Sequence, residues 1–333
     1  MLAAERLVLQ RSAFPSGVPQ LWCPILTHFK AARVPDSDRI AEHLAKLSPF
    51  VKGILVPGST GEGWEMDDGD VRRLLDIVLP AADAVGVRVL LGILKTDVKQ
   101  VLTALDGVKD FCQHPAVVGV TVCPSRGAEL SQVEIADGLR AVLSRKLATA
   151  LYQLPQVTQN EMSPETVAML AAEFPNFILF KDTSGLDKVA QSGLDFGGVN
   201  LVRGSEQGGY AKWTRAAGGP YDGFLLSTAN VLAPELSRVL QMLDSGDKFG
   251  ADTLSNELEQ LVQSMFTIVG GFEVGNAFAN ANKLLYHLRT FGSGALRHPT
   301  PILYSGASLP LDFVEKGLKV VSPVAGFVRN RTD

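Results

Sequence analysis

The stretch Phe177-Ile178-Leu179-Phe180-Lys181-Asp182-Thr183-Ser184-Gly185 decides how this chain is read. Four apolar residues, two of them aromatic, run into a lysine and then into a turn cluster. An apolar run this short and dense, closed by Ser-Gly, predicts a buried strand. Side chains alternate along a strand, so Lys181 is expected to share a face with Leu179 and Phe177. If that face is interior, the strand delivers an amine into an apolar core at its C-terminal end. Burial disfavours the ammonium form and lowers a lysine's pKa, and a neutral amine is a nucleophile toward carbonyls. A lone strand-end lysine more often snorkels to solvent, so the assignment depends on what surrounds it.

Outward from this strand the chain alternates. Apolar runs at Leu21–Thr27, Gly53–Pro57, Val87–Ile93, Val117–Cys123, Thr149–Leu154, Phe177–Lys181, Asn200–Arg203 and Gly223–Ser227 predict strands. Helical patterns follow them near 37–48, 67–84, 97–111, 131–144, 164–173, 186–194, 207–217 and 233–244. Ser163-Pro164-Glu165 supplies an N-cap and a proline at the first helical position, and Ala233-Pro234-Glu235 repeats that proline placement. Alternation of this kind means parallel strands with helical crossovers. Eight units in about 225 residues fit a closed (β/α)8 barrel, with an open doubly wound sheet as the alternative. Residues 1–18 read as a loosely packed lead-in and 19–246 as the α/β barrel. Residues 247–333 read as a C-terminal helical segment, with helices near 247–265, 274–291 and 308–320.

Composition narrows the function. The chain has 333 residues, 46% hydrophobic and 20% charged, as a soluble globular protein would. Its net charge of −4 comes without a basic block, which points away from nucleic acid. No apolar run approaches membrane-spanning length. The N-terminus lacks the pattern of a signal peptide. Cys23, Cys112 and Cys123 form no CxxC pair and read as reduced residues of a cytoplasmic protein. The five histidines, His28, His43, His114, His287 and His298, are scattered without metal-ligand spacing.

A barrel of this type places its chemistry at the C-terminal ends of the strands. The second strand ends Gly58-Ser59-Thr60-Gly61-Glu62-Gly63, where successive N–H groups can form an anion nest. The loop lacks the spacing of a nucleotide-binding motif. The fifth strand ends Leu151-Tyr152-Gln153-Leu154-Pro155, the sixth carries Lys181, and the eighth ends Ser227-Thr228-Ala229-Asn230. An anion nest, a tyrosine proton shuttle and an amine nucleophile suit a 2-keto acid that forms an imine with lysine. Singly, such features are usually a turn or a core tyrosine.

Taken together, Gly58–Glu62, Tyr152 two residues before Leu154-Pro155, and Lys181–Gly185 resemble the motifs of the dihydrodipicolinate synthase / N-acetylneuraminate lyase family over about residues 20–290. The resemblance implies a class I aldolase, lyase or dehydratase on a (β/α)8 barrel, commonly a homo-oligomer, with a covalent lysine imine and no separate cofactor. It implies that Lys181 forms the imine, that Tyr152 moves protons, and that Ser59 and Thr60 hold the keto acid's carboxylate. Gly61, Ser227, Arg126 and Glu206 complete the substrate-binding candidates. Ser59 is also expected to hydrogen-bond Tyr152, and His28 is a weaker candidate for a second acid or base. The implied activity is making or breaking a C–C bond of pyruvate or a 2-keto-3-deoxy sugar acid. A dehydratase working through the same imine and a barrel that only binds keto acids are the alternatives.

The chain also departs from the pattern. The first strand ends Thr27-His28 where the family usually has Thr-Pro. Pro124 is followed by Ser125 and Arg126, so the tyrosine that the synthases place there is missing. Val157 replaces the arginine that grips the aldehyde substrate's carboxylate in the synthases. These departures weaken the expectation of dihydrodipicolinate synthesis and leave the imine machinery whole. Arg126 is expected to exchange a proton path for an anion grip.

Overall fold

The computed structural model describes residues 2–322. Met1 of the expected lead-in and residues 323–333 of the expected C-terminal segment lie outside the described residues. Eight parallel strands close into a barrel: β1 (Leu21–Pro24), β2 (Gly53–Val56), β3 (Arg88–Ile93), β4 (Val117–Val122), β5 (Thr149–Gln153), β6 (Phe177–Asp182), β7 (Asn200–Arg203) and β8 (Gly223–Leu225). Each strand pairs with its sequence neighbour, and β8 returns to β1. Closure rules out the open sheet.

The helices begin where short polar side chains hold their first amides. Asp36, Asp97, Ser131 and Ser163 accept from the third residue of the helix that each precedes. Pro164 occupies the first turn as expected. Helix Ser37–Leu47 shows why these segments dock. Ile40, His43, Leu44 and Leu47 recur at helical spacing and are buried against the barrel. Two crossovers depart from expectation. The sixth shortens to one turn, Lys188–Gln191, and the seventh to 3₁₀ turns at Ala211–Trp213 and Arg215–Ala217. Gly193, Gly208, Gly209 and Gly218 adopt positive φ in these segments, which a helix cannot accommodate. A two-stranded hairpin, Phe29–Ala31 with Val34–Pro35, follows β1 and was not anticipated.

The expected strand parity needs one correction. The β5–β6 register pairs Thr149 with Phe177 but Ala150 with Leu179, which leaves Ile178 as an extra residue. Such a bulge resets the alternation. Phe177 therefore packs in the helix-facing core, whereas Ile178 and Leu179 join the barrel interior. Leu179 and Lys181 keep their common inward face, and the same register sets Tyr152 beside Lys181.

The lead-in is a helix, Leu2–Ala13, not a loose strap. It seals the N-terminal end of the barrel with polar groups. Arg6, 1% exposed, donates to the carbonyls of Phe177 (2.7 Å) and Phe174 (3.0 Å), and also to those of Ala171 and Gly197. Gln10 donates to Ile178 O and Gly198 O, both at 3.0 Å. These contacts saturate the carbonyls around the β6 bulge. Above them Phe14 meets Trp22 edge to face at 5.4 Å. Trp22 fills the barrel floor at the expense of Gly53, where a Cβ would lie 2.3 Å from the indole. The floor is thus apolar and closed, and the polar side chains collect at the opposite mouth.

Three helices follow the barrel, Lys248–Val269, Ala277–Phe291 and Leu311–Val321, packed on helix Ala229–Asp244 and on one another. Among the described residues no helix is long and apolar enough to cross a membrane.

Candidate active site

Lys181 projects from the end of β6 into the barrel mouth and is 4% exposed. Its Nζ lies 3.9 Å from the centre of the Tyr152 ring. Burial brings its pKa down from 10.5 to about 7, a fall opposed by Cys123, Glu206 and Cys23. Both thiols are themselves pushed up by burial, Cys123 to about 12, so at neutral pH they are uncharged. Glu206 is then the acidic neighbour that acts on the amine. A substantial neutral fraction near pH 7 makes Lys181 a competent nucleophile.

The strand end that carries Lys181 is clamped. Arg203 grips Asp187 through Nε (2.9 Å) and Nη2 (3.1 Å), and its third nitrogen reaches Ser205 O at 3.0 Å. The Tyr221 hydroxyl donates to Asp187 (2.7 Å) and lies 3.3 Å from Asp182. Trp213 covers the guanidinium at 4.1 Å. Gly204 makes room for the amine itself. A Cβ there would lie 3.0 Å from Lys181 Cε and 2.5 Å from Thr183 Oγ1.

Tyr152 is buried, and burial raises its pKa well above the ordinary phenol value, with the Ser59 and Thr183 hydroxyls restraining the rise. Ser59 Oγ also accepts from Trp64 Nε1 at 2.8 Å. In the nest, Gly61 N–H is spent on Gly58 O at 3.1 Å, so Gly61 offers no amide to a ligand. The amides of Ser59 and Thr60 have no protein acceptor among the described residues and are the donors left for an anion.

The nest is held from far away in sequence. Glu62, at φ 61°, forms a buried ion pair with Lys283 and accepts from Tyr304 N at 2.8 Å. Asn276 donates to Ser59 O at 3.0 Å while capping helix Ala277–Phe291. The C-terminal segment thus fixes the loop that would receive the carboxylate.

Several candidates have roles other than those expected. Glu206 accepts four hydrogen bonds, from Ser227 Oγ (2.6 Å), Thr228 N (3.0 Å), Thr228 Oγ1 (2.7 Å) and the Tyr210 hydroxyl (3.1 Å). Its lone pairs are filled by protein, so it organises Ser227 and the eighth strand's end and leaves little for a substrate hydroxyl. Arg126 is exposed. Its amide is pinned to Thr96 O at 2.9 Å, but its side chain makes no hydrogen bond or ion pair among the described residues. His28 is not poised over the mouth. It packs against Tyr286 at 4.7 Å and hydrogen-bonds His43 at 3.0 Å, and burial lowers its pKa well below the ordinary value. His43, brought to about 4 by burial, donates Nε2–H to Asn230 O at 2.8 Å. Neutral His43 therefore accepts from His28 at Nδ1, which fixes both tautomers. Among the described residues no three His, Cys, Asp or Glu side chains group as metal ligands would.

Comparisons with known proteins give the family and the same barrel fold. The model of the dihydrodipicolinate synthetase family matches residues 31–276. A 4-hydroxy-tetrahydrodipicolinate synthase from Hyphomonas neptunium is 29% identical over 76% of this chain and 83% of its own. One from Methanopyrus kandleri is 26% identical over 75% of this chain and 81% of its own. Among solved structures, YagE, a prophage protein of the dihydrodipicolinic acid synthase family from E. coli K12 in complex with pyruvate, superposes with a TM-score of 0.70. It shows 19% identity and covers 91% of this chain and 97% of its own. With a match across most of its length, the chain belongs to the dihydrodipicolinate synthetase family.

Proposed function

We propose that the protein is a Schiff-base-forming lyase or aldolase that makes or breaks a C–C bond of a 2-keto acid such as pyruvate. The observation that carries this reading is the buried Lys181 amine, 3.9 Å from the Tyr152 ring, with a pKa of about 7. Unprotonated Lys181 attacks the keto carbon. The carbinolamine loses water, with Tyr152 passing the proton to the departing hydroxyl. The Ser59 and Thr60 amides bind the carboxylate. The protonated imine is the electron sink, so the reaction needs no further cofactor. Loss of a proton from C3 gives the enamine, whose C3 forms the new bond to an aldehyde carbon. The aldehyde oxygen takes up a proton, and hydrolysis of the imine returns a 4-hydroxy-2-keto acid and the free amine. Cleavage is the same path reversed. The pyruvate complex of YagE supports pyruvate as the keto acid, and the family resemblance carries over to this reading a small-molecule substrate, a homo-oligomer and a cytoplasmic setting.

The experiment is exchange of the pyruvate methyl protons in deuterated water, followed by NMR. Exchange requires both the imine and a proton shuttle. It should be rapid with the wild type, absent in Lys181→Ala and slowed in Tyr152→Phe. Exchange that survives in Lys181→Ala would refute the reading.

A further inference from the structure

The proposed imine explains one half of the substrate. The other half must meet the wall beside Tyr152. There Cys123, Tyr152 and Leu154 form a buried apolar cluster of their own, distinct from the barrel floor, with Trp64 and Val157 packed against it. Trp64 and Val157 are only partly buried, so the cluster keeps apolar surface that solvent can reach. Its parts come from three strand ends: Trp64 from the loop after β2, Cys123 from the end of β4, and Leu154 and Val157 from the turn after β5. Trp64 is held in place by its hydrogen bond to Ser59.

The charges at the mouth point the same way. Lys95, after β3, pairs with Asp68 at 3.0 Å. Arg203 is committed to Asp187. Arg126 is exposed, and its side chain makes no hydrogen bond or ion pair among the described residues. The acidic group that acts on the amine, Glu206, would repel a second carboxylate. No cation among the described residues perturbs Lys181.

We propose that the carbonyl partner handled by this site is an apolar aldehyde, with an aliphatic or aromatic side chain seated on Trp64, Leu154 and Val157, and not one that carries a distal carboxylate. This rests on the lysine-imine reading of the site. Atoms balance as in the aldol step above: the enamine carbon bonds the aldehyde carbon, and the aldehyde oxygen gains a proton. Val157 is the specificity-determining residue, because it stands on the one-turn helix Pro155–Thr158 directly after the strand that carries Tyr152.

The test has two stages. Borohydride reduction in the presence of pyruvate is done first, and a missing adduct would overturn the imine reading and this proposal with it. Aldol kinetics with pyruvate and benzaldehyde, glyceraldehyde or aspartate semialdehyde follow. Benzaldehyde should exceed aspartate semialdehyde in kcat/KM by about 10- to 100-fold, the usual worth of matched apolar contact in a pocket. Val157→Arg should lower that ratio by at least about 10-fold, since a guanidinium favours the carboxylate. The near-isosteric Val157→Thr should lower it in the same direction by a smaller factor, and a thermal melt checks that each variant folds. If the adduct forms but the acidic or polar aldehyde is preferred, or no apolar aldehyde turns over, the apolar assignment is wrong. It is equally wrong if neither Val157 variant moves the ratio.

Discussion

Replacing Lys181 with methionine should stabilise the protein, and the gain should disappear at alkaline pH. Lys181 has an ordinary pKa of 10.5 in the unfolded chain and about 7 in the fold. Between those values the unfolded state binds the extra proton, so the lysine's contribution to stability rises with pH, and its penalty is complete only below about 7. At 1.36 kcal/mol per pH unit, the difference amounts to about 4 kcal/mol at pH 7, about 2 kcal/mol near pH 9 and under about 1 kcal/mol above pH 10. Methionine has nearly the same length and no charge, so Lys181→Met removes this penalty and keeps the packing. Urea unfolding of both proteins across that range measures the difference directly, because most other titrating groups are shared. A gain of a few kcal/mol at neutral pH that shrinks as pH rises is the expected result. A gain independent of pH, or a variant less stable than wild type at neutral pH, would refute the claim that the amine is buried with a depressed pKa.

Tyr152→Phe loses only a hydroxyl and should fold normally, with turnover down by about 10²- to 10⁴-fold, the usual range for a positioned acid or base; near-normal turnover would assign the proton path to another group. Gly204→Ala places a methyl against Lys181 Cε and Thr183 Oγ1 and should slow imine formation by about 10²-fold through misplacement of the amine, as read by the rate of borohydride trapping. Arg126→Ala removes an exposed side chain and should change kcat/KM by no more than about twofold; a larger loss on an acidic aldehyde would restore the anion grip expected from sequence.

The barrel was legible because each strand is a compact apolar run and each crossover repeats the same helical period. The sixth and seventh crossovers were misread where glycines interrupt an otherwise helical composition. The placement of Lys181 and Tyr152 at neighbouring strand ends was legible because both stand at the close of an apolar run just before a turn. The β6 bulge was invisible, since the carbonyls around it are satisfied by Arg6 and Gln10 from the chain's other end. The Glu62–Lys283 pair was equally hidden, because its partners lie 221 residues apart and neither has a local signature. Glu206 is legible as a site candidate but not as a saturated one, because three of its four donors come from Ser227 and Thr228 past the next strand and the fourth from Tyr210 in its own loop. Arg126 was misjudged because sequence gives a residue's place in a loop but not its direction. Gly204 had a usable signal: a glycine directly after the strand next to the lysine's own.

The central claim is that Lys181 is the covalent nucleophile. The most direct measurement is borohydride reduction with pyruvate, followed by intact mass and peptide mapping. One pyruvate-derived adduct per chain, located on Lys181 and lost in Lys181→Ala, is the predicted result. An adduct on Lys95, Lys188 or Lys283 instead, or no adduct at all, would contradict it.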